Sequence, residues 1–131
     1  MLEQDVRALA TAPNFAAVTT LGPTGRPQTQ IMWVDCDDED VVFNTEVHRQ
    51  KYKNIGRDPR VTVTIWDREQ PYHYVEVRGR VEGLERGPAA RSHIDRLSQK
   101  YNGQPYPDSA IQSERVIVRV RPDRQRIWNP R

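Results

Sequence analysis

Two runs of strict alternation limit the architectures open to this chain. Arg60–Trp66 places Val61, Val63 and Ile65 on one face, and Tyr72–Leu84 sets Tyr72, Tyr74, Glu76, Arg78 and Arg80 against His73, Val75, Val77, Gly79 and Val81. A period of two sends successive side chains to opposite sides of a strand, so each run has one face for a core and one for solvent or a partner. Only the polar loop Asp67–Pro71 separates them. That spacing predicts antiparallel neighbours, whereas a buried parallel sheet would read as continuous apolar runs.

The remaining elements extend this pattern. Leu2, Val6 and Leu9 fall at helical spacing before Pro13, and Phe15–Leu21 reads as a strand ending in the breaker-rich turn Gly22–Pro27. Gln28–Asp35 alternates Gln28, Gln30 and Met32 with Thr29, Ile31 and Trp33. The acidic run Asp37–Asp40 reads as a hairpin tip, because it lacks the alternating acids and glycine of a calcium loop. Val41–Thr45 is a further strand, followed by a short helix closed by Asp58-Pro59. Ala89–Tyr101 is a long helix, with Ile94, Leu97 and Tyr101 on one face and Gly103 as its stop. After the irregular stretch Gln104–Ser113, the pattern predicts two closing strands, Arg115–Val120 and Arg124–Trp128, separated by an Arg121-Pro122-Asp123 turn. Hairpin connections and two-faced strands point to an antiparallel barrel.

At 131 residues the chain is most economically one domain. No apolar run approaches the length of a membrane span, and the acidic N-terminus does not resemble a signal peptide, so the expected compartment is the cytoplasm. A net charge of +2 falls well short of what nucleic acid binding requires and suits an anionic small molecule. The single Cys36 excludes an internal disulfide, and His48, His73 and His93 show no metal-ligand spacing. No Gly-x-Gly-x-x-Gly or Walker loop is present, which disfavours the corresponding nucleotide folds.

The chemistry concentrates in Val41–Arg60. An apolar strand ends in Asn44 and Thr45 and gives way to Arg49, Gln50, Lys51 and Lys53. Arginine offers a bidentate fork, lysine a mobile charge, and Asn44 and Thr45 neutral donors, a set suited to a phosphate. Arg49 and Lys51 share no face of a continuous helix, so they converge on one anion only if Arg49 lies at or before the helix start. Trp33 serves either as a half-buried strand aromatic or as a ring beside a flat cofactor. No nucleophilic dyad and no dedicated catalytic residue emerges, as expected of an enzyme whose cofactor does the chemistry.

These residues resemble a known family. Gly25-Arg26-Pro27-Gln28, Phe43-Asn44-Thr45, Arg49-Gln50-Lys51 with Asn54, Asp58-Pro59-Arg60-Val61 and Pro71-Tyr72-x-Tyr74-x-Glu76-Val77-Arg78-Gly79-Arg80-Val81 carry the likeness, continued by His93-Ile94-Asp95-x-Leu97, Lys100-Tyr101-x-Gly103, Tyr106-Pro107 and Arg115-Val116-Ile117. Their order and spacing are similar to those of the pyridoxamine 5′-phosphate oxidase-like flavoproteins, in particular the branch of oxidoreductases that use the deazaflavin coenzyme F-420. The resemblance implies a mainly β fold with flanking helices, a six-stranded antiparallel split β-barrel that is homodimeric with cofactor sites at the subunit interface. It implies that Asn44, Thr45, Arg49 and Lys51 hold the cofactor phosphate, that Gln50 belongs with them to the cofactor-binding residues, and that Gln30, Met32 and Trp33 lie beside the ring system. The expected activity is hydride transfer between coenzyme F-420 and an unsaturated small-molecule substrate, with no nucleic acid, membrane or metal involved. FMN is the alternative cofactor, and a flavin- or haem-binding carrier or sensor the alternative of another class. The chain ends soon after Trp128 and lacks the longer C-terminal segment of true pyridoxamine phosphate oxidases.

Overall fold

The computed structural model describes residues 1–130. It contains α1 (Gln4–Thr11), β1 (Phe15–Leu21), β2 (Pro27–Trp33), β3 (Asp35–Cys36), β4 (Val41–Glu46), α2 (Gln50–Arg57), β5 (Arg60–Trp66), β6 (Tyr74–Arg86), α3 (Pro88–Asn102) and β7 (Arg115–Trp128). All strand pairs are antiparallel, in the order β2-β1-β5-β6-β7-β4-β3.

The two alternating runs behave as their patterns require. Val63 lies opposite Val77 and Ile65 opposite Val75, all four fully buried, while Arg78 and Arg80 face outward. Val18, Phe43, Val116, Val118 and Val120 join them in one core, and α1 adds Val6, Leu9 and Ala10. Burying each such aliphatic side chain contributes roughly 1.5–3 kcal/mol. On the other side of β4 and β7, α3 covers Val42 and Ile117 with Ala90. Both faces of these strands are therefore buried at the α3 end, which is why β4 shows no alternation of exposure.

The sheet has seven strands rather than six, and its hydrogen-bond ladder does not close. The extra strand arises because the segment expected to run unbroken from Gln28 to Asp35 is interrupted at Val34. The Val34 amide donates to the Tyr101 hydroxyl at 3.1 Å, and its carbonyl accepts from Lys100 Nζ at 2.6 Å. Side chains from the last turn of α3 thus occupy the groups that a neighbouring strand would have used. The chain crosses at this residue from the β2 edge of the sheet to the β3 edge, which curls the sheet and leaves a seam between β2 and β4.

The two predicted closing strands are one continuous strand. Asp123 bulges between the pairs Arg78–Arg124 and Gly79–Pro122, so the proline sits at a bulge instead of ending the strand. A Cβ built on Gly79 would lie 2.2 Å from the Arg121 carbonyl oxygen, so only glycine fits opposite the bulge. Gly103 ends α3 as its spacing predicts, in a left-handed conformation at φ 74°. Among the described residues no helix is long and apolar enough to cross a membrane, and no group of three or more His, Cys, Asp or Glu side chains is placed to hold a metal.

Candidate functional site

The seam between β2 and β4 opens into a cleft of about 310 Å³. Gln30, Met32 and Trp33 form its β2 wall, Asn44 and Thr45 the β4 wall, and Arg49 and Lys51 its cationic end, with Ile94 and Leu97 of α3 below. Seven of the eight residues singled out in the sequence therefore meet in one place. Gln50 does not: its side chain is exposed and donates to Asn54 Oδ1 at 2.8 Å, one turn along α2.

The turn after β4 explains how Arg49 and Lys51 converge. The Arg49 amide bonds back to the Glu46 carbonyl at 3.0 Å, leaving Arg49 in extended conformation as the N-cap of α2. No side chain caps this helix start, where free amides favour an anion. Lys51 follows in the first turn and is only 6% exposed, without an ion-pair or hydrogen-bond partner among the described residues. Burial, with Arg49 and Arg115 adding repulsion, lowers its pKa to about 8.

Two further residues, Arg115 and Glu46, complete the cationic end, and the sequence alone gives neither a place in the site. Arg115, the first residue of β7, is 8% exposed and borders the cleft. Its Nε donates to Asn44 Oδ1 at 2.7 Å and a terminal nitrogen to Glu46 Oε1 at 3.0 Å. Glu46 is fully buried, which would raise its pKa, yet the amides of Ser113 and Gln112 (both 2.7 Å), then Arg115 and His48, hold it below the usual carboxylate value. Arg49 lies at the looser distance of 3.8 Å from the same carboxylate. Arg115 and Arg49 lie against this one carboxylate and Lys51 against none among the described residues, so three cations and one acid leave an excess of two positive charges, which matches a phosphate dianion.

Asn44 is fully committed. Besides accepting from Arg115, its amide nitrogen donates to the Ala90 carbonyl and to His93 Nδ1, each at 3.0 Å. It positions Arg115 and ties β4 to α3 rather than offering a free donor. Burial lowers the His93 pKa to about 4, so the ring is neutral, with Nδ1 accepting and Nε2 carrying the proton. Thr45, by contrast, keeps its hydroxyl free among the described residues.

Aromatic side chains form another part of the cleft wall. Trp33 stacks on Tyr101 with centroids 5.2 Å apart and meets Tyr106 edge-on at 6.3 Å. Tyr106 belongs to the irregular stretch before β7. Its amide bonds to Asp95 Oδ1 at 2.9 Å, and the Arg115 guanidinium lies 5.3 Å from its ring centroid. The Gln30 side-chain oxygen is buried without a hydrogen-bond partner among the described residues. A buried acceptor left unpaired is costly unless a ligand donates to it.

The family profile described as Pyridoxamine 5′-phosphate oxidase matches residues 2–129. The chain belongs to this family. Among curated relatives, a pyridoxine/pyridoxamine 5′-phosphate oxidase of Myxococcus xanthus is 27% identical, the alignment covering 98% of this chain and 75% of that protein. Among solved structures, one described as an F-420 reductase is 34% identical with a TM-score of 0.80, covering 96% of this chain and 98% of the other. A conserved hypothetical protein of Mycobacterium tuberculosis, Rv2991, is 27% identical with a TM-score of 0.78, covering 98% and 85%. The chain is thus similar to the split-barrel family and to a member of the deazaflavin-dependent branch, as the motifs suggest, and its family members are oxidoreductases.

Proposed function

We propose that the protein is an oxidoreductase that transfers a hydride between coenzyme F-420 and an unsaturated small-molecule substrate. One observation carries this reading: the cleft joins an uncompensated cationic end to an aromatic and apolar wall, in a chain 34% identical to an F-420 reductase over nearly its whole length. The residues present fit a phosphate-bearing deazaflavin. The excess charge of Arg49, Lys51 and Arg115 awaits an anion, and the unpaired Gln30 oxygen awaits an N–H donor.

In this reading Arg49, Lys51 and Arg115 neutralise the phosphate, and the Thr45 hydroxyl donates to it. Asn44 and Glu46 hold Arg115 in place. Met32 and Trp33 flank the ring system, while Ile94 and Leu97 keep water from the inner wall. Bound there, the deazaflavin supplies the hydride for the acceptor. The protein's work is orientation and water exclusion, and it needs no nucleophile of its own. A homodimer fits the same reading, because Ile31 on β2 stands 60% exposed at the mouth of the cleft, where a second subunit would cover it.

FMN is the second reading, supported by the oxidase named among the curated relatives. The phosphate end serves both cofactors equally. Anaerobic mixing of the protein with reduced coenzyme F-420 or reduced FMN, against a panel of quinones and conjugated enones, separates them. Acceptor-dependent oxidation of the deazaflavin alone is expected, and oxidation of FMN alone overturns the assignment.

A further inference from the structure

We propose that Lys51 is a site of covalent acylation by small acyl phosphates, which dock through their phosphoryl group at the cationic end of the cleft and pass the acyl group to Nζ. The inference rests on the reading that this end receives a phosphate.

The chain has three lysines, and the fold gives them three different environments. Lys100 Nζ donates to the carbonyls of Ala10 at 2.9 Å and Val34 at 2.6 Å, so two of its three donors are committed to the backbone. Lys53 is exposed on α2. Lys51 alone lines the cleft, without a counterion among the described residues and between Arg49 and Arg115. A dianion drawn to those guanidiniums is held beside the amine, which converts a bimolecular encounter into a reaction within a complex.

Acylation needs the neutral amine. With a pKa of about 8, Lys51 in the anion-free protein is about half deprotonated at pH 8, against well under 1% for an ordinary lysine. The nitrogen lone pair forms a bond to the carbonyl carbon, and the carbon–oxygen bond to the phosphoryl group breaks. That bonding pair leaves with the phosphate, and the amine proton passes to it, giving an amide and hydrogen phosphate. Arg49 and Arg115 stabilise the charge on the departing phosphate. No oxidant or further reactant is required. The product is a neutral, bulkier side chain that removes one charge and fills part of the cleft, so acylation closes the site to a phosphate-bearing cofactor.

The test is incubation of the purified full chain with acetyl phosphate at pH 8, followed by mass spectrometry of the peptides carrying Lys51, Lys53 and Lys100. Greater abundance of the free amine, offset in part by its lower basicity, predicts acetylation of Lys51 about tenfold faster than of Lys53. Inorganic phosphate and the Arg49→Ala variant should each slow Lys51 and leave Lys53 unchanged. Equal rates at the two lysines overturn the proposal. So does a Lys51 rate indifferent to phosphate, because the docking step is then absent. A parallel titration with coenzyme F-420 separates the two readings. Binding without preferential acetylation defeats only this inference, and acetylation without binding defeats only the cofactor assignment.

Discussion

Arg115 Nε donates to Asn44 Oδ1 at 2.7 Å, across two adjacent strands whose residues at these positions are 71 apart in the chain. The same guanidinium reaches the buried Glu46 carboxylate at 3.0 Å. The site therefore rests on a buried ion pair whose carboxylate also accepts from the backbone amides of Gln112 and Ser113. Removing one member of such a pair leaves a buried charge without its partner, which typically costs 3–5 kcal/mol. Arg115→Met should lower stability by about 3 kcal/mol in urea unfolding. A loss below about 1 kcal/mol would show that the backbone amides satisfy Glu46 without it.

Arg49 and Lys51 should each matter for phosphate binding. Replacing either by alanine is expected to weaken cofactor affinity by roughly 1.5–3 kcal/mol, the scale of a charge-assisted hydrogen bond. Gln50→Ala, whose side chain turns along α2, should change affinity little. Isothermal titration of the three variants checks the ranking, and an equal effect at all three would contradict it.

The Lys51 charge gives the site a pH signature. Its pKa is about 8 in the anion-free protein, below the usual lysine value, so the unfolded chain holds more protons between about pH 8 and 10.5. Stability of the anion-free protein should rise with pH over that interval. Phosphate binding runs the opposite way, because the charged amine adds its attraction to that of Arg49 and Arg115. Affinity should be level below about pH 8 and then fall as pH rises, by at most about tenfold per pH unit. Lys51→Arg, charged throughout, should flatten both profiles.

His93 predicts acid sensitivity of the contact between β4 and α3. Its pKa of about 4 lies below the ordinary 6.5, so the unfolded chain binds the extra proton between these values. The histidine contribution to stability is complete above about pH 6.5 and is lost as pH falls towards 4. The difference between the protein and His93→Gln, measured by denaturation from pH 7 to 4, should narrow over this window. A constant difference would mean that the ring is not held neutral.

The bulge opposite Gly79 can be tested directly. Gly79→Ala drives a methyl group against the Arg121 backbone, which cannot move aside as a side chain would. A loss of at least about 2 kcal/mol is expected. Gly83→Ala, whose added Cβ meets only the Arg119 side chain at 3.6 Å, should be tolerated. Similar costs at both positions would contradict the account.

Much of the fold was legible because the decisive patterns are local. The valine faces of β5 and β6, the Ile94–Leu97 face of α3 and the Gly103 stop all follow from periodicity within a few residues. The continuity of β7 was not, since Pro122 signals a turn until Gly79, far away in sequence, provides room for a bulge. The break at Val34 was equally hidden, because it is made by Lys100 and Tyr101 from another element. In the site, Asn44, Thr45, Arg49 and Lys51 stood out as a cluster in sequence. Arg115 and Glu46 did not, because a lone strand arginine and an acid within a basic segment signify nothing until strand pairing brings them together. Tyr106, in an irregular stretch, carried no periodic signal at all.

The most direct measurement is a titration of the protein with coenzyme F-420 and FMN in parallel, followed by tryptophan quenching, with Trp33→Phe as the reporter control. The account predicts saturable deazaflavin binding at micromolar or lower concentration, tighter than FMN, with much of the quenching lost in Trp33→Phe. Binding of neither cofactor, or binding that survives Lys51→Ala unchanged, would contradict the assignment of this cleft.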